Sequence, residues 1–179
     1  IYLSFDFNIN PYNAIYLIQE INDKVIIIDN AILNKKPLVD SLKYLKEKFS
    51  YLGNALYSAT VYGDASGRAR SQGTAQTNYE LIRNAGFHHH LIKTANPRVA
   101  DRVNIVNSLL MNGDGDAKLA ICKRNSQLIT DFEKMSYNDK GEVDKTDSEL
   151  THNADSIGYY VEYTHSLTKP KELRARYST

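Results

Sequence analysis

Cysteine is almost absent from this chain: Cys122 stands alone, which excludes an internal disulfide and a structural zinc site built from several cysteines, and suits a reducing cytosol. No apolar run approaches the roughly 18 residues that a membrane-spanning helix needs, so nothing reads as crossing a membrane. Neither sign of charge is in excess, since 22 Lys+Arg against 21 Asp+Glu leave a net charge of +1. A polyanionic partner would therefore have to be met by local basic clusters rather than by overall charge. Internal repeats and low-complexity segments are also lacking. What remains is an ordinary globular composition, 42% hydrophobic and 24% charged over 179 residues, enough for one domain with a substantial core.

The chain is organised around its opening run, Ile1-Tyr2-Leu3-Ser4-Phe5-Asp6-Phe7-Asn8-Ile9-Asn10. Aromatic and β-branched residues make it a strand up to the turn at Pro11. Asp6, between Phe5 and Phe7, does not fit, because a buried carboxylate is costly unless a cation or hydrogen-bond donors compensate it. A metal ion is the compensation expected here. The run begins at Ile1 with no signal-peptide pattern before it, which suggests a domain cut from a longer protein.

Ala14 to Glu20 and Lys24 to Asp29 read as further strands, and their short polar connections favour an antiparallel three-strand meander. Leu38, Leu42, Leu45 and Phe49 recur at helical spacing behind Pro37. Ala55 to Tyr62 then reads as a buried strand, reached by a parallel crossover and ending in Gly63-Asp64-Ala65-Ser66-Gly67, the kind of strand end where open α/β sheets bind ligands. A helix over 77–85 stopped by Gly86, a strand over 87–93, an amphipathic helix over 97–111, a short strand over 118–122 and a helix over 126–135 follow. Residues 137–148 are polar and aperiodic and read as a mobile loop; a last helix covers about 151–166, and a basic tail ends the chain. The order implies an α/β fold, a mixed sheet with helices on its faces.

Asp6 in the first strand, Asp64 past the fourth and Asp155 in the first turn of the last helix can converge on one edge of such a sheet. A few carboxylates, with waters and a substrate phosphate, suit hard divalent cations. Singly, Asp64 is more often a turn residue and Asp155 more often a partner of a helix dipole. The combination with Asp6 carries the metal reading.

Four segments together resemble the nuclease domain of the large terminase subunit of tailed bacteriophages: Phe5-Asp6-Phe7-Asn8, Tyr62-Gly63-Asp64-Ala65-Ser66-Gly67, the helix start Asn96-Pro97-Arg98-Val99-Ala100-Asp101-Arg102-Val103, and His152-Asn153-Ala154-Asp155-Ser156-Ile157-Gly158-Tyr159-Tyr160. The resemblance runs from Ile1 to about Ser166, and the last block is its most specific part. It implies an RNase H-like mixed sheet, three antiparallel meander strands followed by parallel strands with helices on both faces, as a nuclease domain over 1–168 with a basic tail over 169–179. It further implies an Mg²⁺- or Mn²⁺-dependent endonuclease using two ions held by the acidic triad Asp6, Asp64 and Asp155, cutting concatemeric viral DNA during genome packaging in the host cytoplasm. Its implied partners are double-stranded DNA, an ATPase domain of the same full-length protein, the portal and the small terminase subunit. This chain lacks a Gly-x-x-x-x-Gly-Lys-Ser/Thr loop, so by itself it is not expected to hydrolyse ATP.

Four neighbours are auxiliary candidates. Asn8 shares a strand face with Asp6 and could orient a water, or simply face solvent. His152 lies three residues before Asp155 and either supports the site or caps and packs its helix. Lys145 could approach the scissile phosphate or be solvated, and Arg102 could pair with a site carboxylate or phosphate, or be an exposed helix arginine. Arg68 and Arg70 flank the Asp64 turn and lead the DNA-binding candidates, ahead of Lys93, Arg98, Lys123, Arg124 and tail residues Lys169, Lys171, Arg174 and Arg176. In His88-His89-His90 only the outer two share a strand face, without a further zinc ligand at suitable spacing. Asp114-Gly115-Asp116 lacks the rest of a calcium loop and reads as a turn. A resolvase, a transposase-like strand transferase, an RNA/DNA-hybrid nuclease and an inactive packaging-motor docking module are the alternatives.

Overall fold

A computed structural model describes residues 1–8, 10–70, 75–138, 143–144 and 151–166. Strands β1 (Tyr2–Asp6), β2 (Ala14–Ile21) and β3 (Lys24–Asn30) form the expected antiparallel meander. Between β2 and β3, Asn22 and Asp23 both adopt positive φ, 50° and 60°, the conformation that lets a two-residue connection follow the strands' twist. Helix α1 (Leu38–Lys48) then carries the chain over one face of the sheet.

The segment read from sequence as one strand over 55–62 divides. Residues Asn54–Tyr57 form a helical turn, α2, and only Thr60–Gly63 form a strand, β4. Gly53, at φ +54°, turns the chain into α2; Leu56 is buried while Ala55 and Tyr57 are exposed. A short apolar run does not distinguish strand from buried helical turn, and here a single inward residue satisfies the core. The crossover expectation holds, because β4 pairs parallel with β1.

Helix α3 (Asn78–Asn84) opens with a capping box between Thr77 and Glu80 and is followed by Gly86 at φ +107°. The strand expected over 87–93 contracts to β5, His89–His90, parallel to β4. Helix α4 (Val99–Leu110), strand β6 (Leu119–Ile121), helix α5 (Ser126–Lys134) and helix α6 (Thr151–His165) complete the order. Strand β6 pairs parallel with β3, giving a sheet ordered β5-β4-β1-β2-β3-β6. Within the segment read as a loop over 137–148, Tyr137 and Val143 bridge antiparallel. Lys145 and the tail over 169–179, with its four basic candidates, lie outside the described residues.

Each face of the sheet has its own core, as period-two alternation requires. Leu3, Phe5, Ile15 and Leu17 pack with Leu42, Leu45 and Phe49 of the α1 region and with Ile82 of α3. Tyr16, Ile18 and Tyr62 pack with Ile105, Val106 and Leu109 of α4, Leu128 of α5, and Ile157 and Tyr160 of α6. The polar residues of β1, Ser4 and Asp6, alternate with Leu3 and Phe5, so they fall on the α6 side. Among the described residues, no helix is long and apolar enough to cross a membrane.

Candidate active site

The carboxyl ends of the parallel neighbours β1 and β4 fix two of the aspartates. Phe5 pairs with Gly63, so Asp6, the last residue of β1, and Asp64, just past β4, leave the sheet side by side. The Asp64 amide donates to the Phe5 carbonyl at 3.2 Å. Position 63 must be glycine for the strands to run this close, since a Cβ there would sit 2.7 Å from the Phe5 carbonyl oxygen. Both aspartates are buried, at 6% and 8% exposure.

The Asp64 turn is held by its own side chain. Oδ1 accepts from the Ser66 amide at 2.7 Å and from Asn96 Nδ2 at 2.6 Å, and Oδ2 accepts from the Ser66 hydroxyl at 2.6 Å. Asn96 Oδ1 in turn accepts from the Ala65 amide at 2.8 Å, and the Tyr79 hydroxyl donates to the Asp64 carbonyl at 2.6 Å. All these donors are neutral, so they orient Asp64 without cancelling its charge.

Helix α6 supplies the opposite wall. His152 Nδ1 lies 3.0 Å from Asp6 Oδ2, and Asn8 Nδ2 lies 3.0 Å from His152 Nε2. A tautomer with its proton on Nδ1 donates to Asp6 and accepts from Asn8, linking all three. Burial pushes the Asp6 carboxyl above the usual aspartate range; the His152 hydrogen bond and charge oppose this, the Asp64 charge reinforces it, and Arg102 lowers it.

Asp155 projects from the next turn of α6 toward Arg102, whose Nη2 donates to its Oδ1 at 2.8 Å. Arg102 is buried, at 4% exposure, so of the three readings open in the sequence it is the pairing with a site carboxylate that the structure displays, and the exposed helix arginine is corrected. The Tyr159 ring lies against Arg102, its centroid 4.4 Å from the guanidinium carbon. Burial raises its phenol well above the ordinary value; Arg102 opposes that shift, and Asp6, Asp64 and Asp155 all add to it. Sequence reasoning did not single out Tyr159, Asn96 or Tyr79, although the first two lie inside segments that carried the family resemblance.

Among the described residues, no three His, Cys, Asp or Glu side chains are gathered closely enough to hold a metal ion between them. The donor set nevertheless fits a hard cation: such an ion keeps much of its water and binds through one or two carboxylates, which Asp6 and Asp64 present side by side.

The other candidates resolve as follows. Arg68 Nη2 donates to the Ile92 carbonyl at 2.7 Å, and Arg70 is exposed. Lys93 pairs with Glu162, Arg98 with Asp101, and Arg124 lies 3.5 Å from Asp29. The His90 ring bonds the Phe87 carbonyl at 2.7 Å and packs on Tyr79, a structural role. Asn112 Oδ1 accepts from the Asp114 and Asp116 amides, closing that turn.

No family model matches the sequence, and no curated protein matches it. Solved structures do. The large terminase nuclease domain of phage P22 superposes with a TM-score of 0.65 at 15% identity, over 88% of this chain and 77% of that one. The nuclease domain of the large terminase g2p of bacteriophage SPP1, solved with bound Mn, gives 0.60 at 17% identity over 91% and 85%. The large terminase of the thermophilic bacteriophage D6E, in complex with ATP-gamma-S, gives 0.67 at 16% identity, over 90% of this chain but only 39% of that one. The fold is that of a large-terminase nuclease domain. In this terminase-nuclease fold, an RNase H-like mixed sheet, Asp6 and Asp64 stand at the paired ends of the first and fourth strands and Asp155 on the last described helix.

Proposed function

We propose that the chain is the metal-dependent DNA endonuclease domain of a viral packaging terminase, cutting concatemeric genomic DNA. The observation that carries the reading is the pair of buried carboxylates, Asp6 and Asp64, at adjacent parallel strand ends, faced by α6 with Asp155. Two carboxylates held together in a buried setting are stabilised by a cation bound between them, and the SPP1 nuclease domain was solved with bound Mn.

Asp6 and Asp64 would hold the first divalent cation, Mg²⁺ or Mn²⁺, and Asp155 would contribute to the second. Bound there, such ions supply a lowered pKa for the attacking water and charge compensation at the departing 3′ oxygen. The chain's own residues do the positioning. His152 fixes the Asp6 carboxylate, and Ser66 and Asn96 fix Asp64, so neither has to be ordered when substrate arrives. Arg68 and Arg70 would meet duplex phosphates, making contacts that are independent of sequence. Lys145 is a further candidate for the scissile phosphate. The expected partners are double-stranded DNA, an ATPase domain of the same protein, the portal and the small terminase subunit, in the host cytoplasm during virion assembly.

The test is nicking of supercoiled plasmid DNA with Mg²⁺ or Mn²⁺ titrated. The wild-type chain is expected to cut, and Asp6→Ala, Asp64→Ala and Asp155→Ala to lose about 10²-fold or more of the rate, as when one transition-state charge stabiliser is removed elsewhere. Undiminished cutting by Asp6→Ala would overturn the assignment. Preference for a four-way junction or an RNA/DNA hybrid over linear duplex would move the protein to another nuclease class.

A further inference from the structure

Arg102 is held in an unusual way. Helix α4 packs on α6 where Gly158 lacks a side chain; a Cβ there would lie 3.1 Å from Arg102 Cβ and 3.2 Å from its Cδ. The arginine stem uses that gap, and its guanidinium reaches Asp155 at 2.8 Å while its centre lies 4.4 Å from the Tyr159 ring centroid. Its Nε and Nη1 are buried with no hydrogen-bond partner among the described residues. A buried arginine that serves only as a structural pin has its donors satisfied, since each unpaired donor carries a desolvation penalty. Arg102 is therefore kept in place mainly by the charge of Asp155 and the face of Tyr159.

A cavity of about 90 Å³ beside it is lined by Arg102 and Asp155 together with Val106, Asn107, Phe132 and Tyr137, so the guanidinium is not packed tightly on every side. The guanidinium occupies on Asp155 the role that a divalent cation would otherwise fill, and one carboxylate oxygen cannot serve both at full strength.

We propose that Arg102 is a built-in counter-ion that reserves Asp155: the protein without DNA takes one divalent cation at Asp6 and Asp64, and the second enters only after Arg102 has swung off Asp155. The inference rests on the nuclease reading given above. A DNA phosphate supplies the competing partner, because a guanidinium binds phosphate oxygens as well as it binds a carboxylate. Arg102 is thus a positioning residue, coupling completion of the metal site to the presence of substrate.

Mn²⁺ binding by the whole chain without DNA, measured by calorimetry and by the electron paramagnetic resonance of free Mn²⁺, tests it. Wild type is expected to bind about one ion per chain, Arg102→Met to bind about two or to bind the weaker one about tenfold tighter, and Arg102→Lys, which keeps the charge, to resemble wild type. Unchanged or weakened Mn²⁺ binding in folded Arg102→Met overturns the proposal. Should that variant not fold, Asp155→Asn carries the test: Mn²⁺ affinity within about twofold of wild type supports a reserved Asp155, and a loss beyond about tenfold shows that Asp155 already ligates beside Arg102 and overturns it. Absence of Mn²⁺ binding by wild type and every variant overturns the metal-nuclease reading itself, and this inference with it.

Discussion

Ser4 and Ser156 exchange hydrogen bonds between sheet and helix: the Ser4 hydroxyl donates to the Ser156 carbonyl at 2.5 Å, and the Ser156 hydroxyl to the Ser4 carbonyl at 2.9 Å. Both residues are fully buried. Ser4 precedes Asp6 by two residues on the same face of β1, and Ser156 follows Asp155 on α6. The exchange therefore fixes how α6 slides along β1, and with it the placement of His152 and Asp155 relative to Asp6.

Ser156→Ala removes a donor from the Ser4 carbonyl in a dry setting, and the unfolding free energy is expected to fall by about 1 kcal/mol. Urea denaturation measures this. Because the register of α6 loosens, nicking activity is expected to fall more than the fraction of unfolded chain alone would explain.

Gly63→Ala tests the close approach of β1 and β4. The added Cβ meets the Phe5 carbonyl oxygen at 2.7 Å, and backbone cannot rotate out of the way as a side chain end can. A destabilisation of about 1–3 kcal/mol is expected, by thermal or urea unfolding, with loss of nuclease activity as the Asp6 and Asp64 strand ends part. Gly53→Ala, where a Cβ would meet nothing within 4 Å but φ is +54°, separates backbone strain from crowding and should leave the site intact.

Asp6 gives a pH prediction. Its folded pKa is raised above the ordinary value of 3.8, chiefly by burial, so its contribution to stability is fully present below that value and is lost as pH rises through the folded pKa. Near neutral pH without metal, Asp6→Asn is therefore expected to melt above wild type, and the gap should close as pH is lowered past 3.8. Mn²⁺ at 100 times its dissociation constant should stabilise wild type by about 2.7 kcal/mol and Asp6→Asn by far less. Calorimetric scans across pH, with and without Mn²⁺, check both parts.

Arg70→Ala tests the DNA-facing edge. The residue is exposed and lies just beyond the Asp64 turn. If it meets a phosphate, its removal should weaken duplex binding evenly across sequences and lower the slope of log affinity against log salt by roughly 0.9, as read by fluorescence anisotropy.

Periodicity made much of this fold legible. The β-branched runs of the meander and the Leu38, Leu42, Leu45 and Phe49 series of α1 each declare their face locally. Asp6 was conspicuous for a related reason, as a carboxylate where a buried apolar residue belonged. The helical turn within the 55–62 run is not legible, because one inward Leu56 among small and aromatic neighbours carries no period. Contacts between distant segments left little mark: the pairing of Arg102 with an acidic residue was one of several open readings, while Asn96 reaches Asp64 across 32 positions and β6 finds β3 only in the folded sheet. The neutral donors on Asp64 and the stacking of Tyr159 on Arg102 follow from those meetings, and so required the structure.

The central claim is that Asp6 and Asp64 form a divalent-cation site. Anomalous scattering from a crystal of this protein grown with millimolar Mn²⁺ tests it most directly. A manganese peak in contact with both the Asp6 and Asp64 carboxylates is the predicted result; a well-ordered map with both side chains clear and no manganese touching either would contradict it.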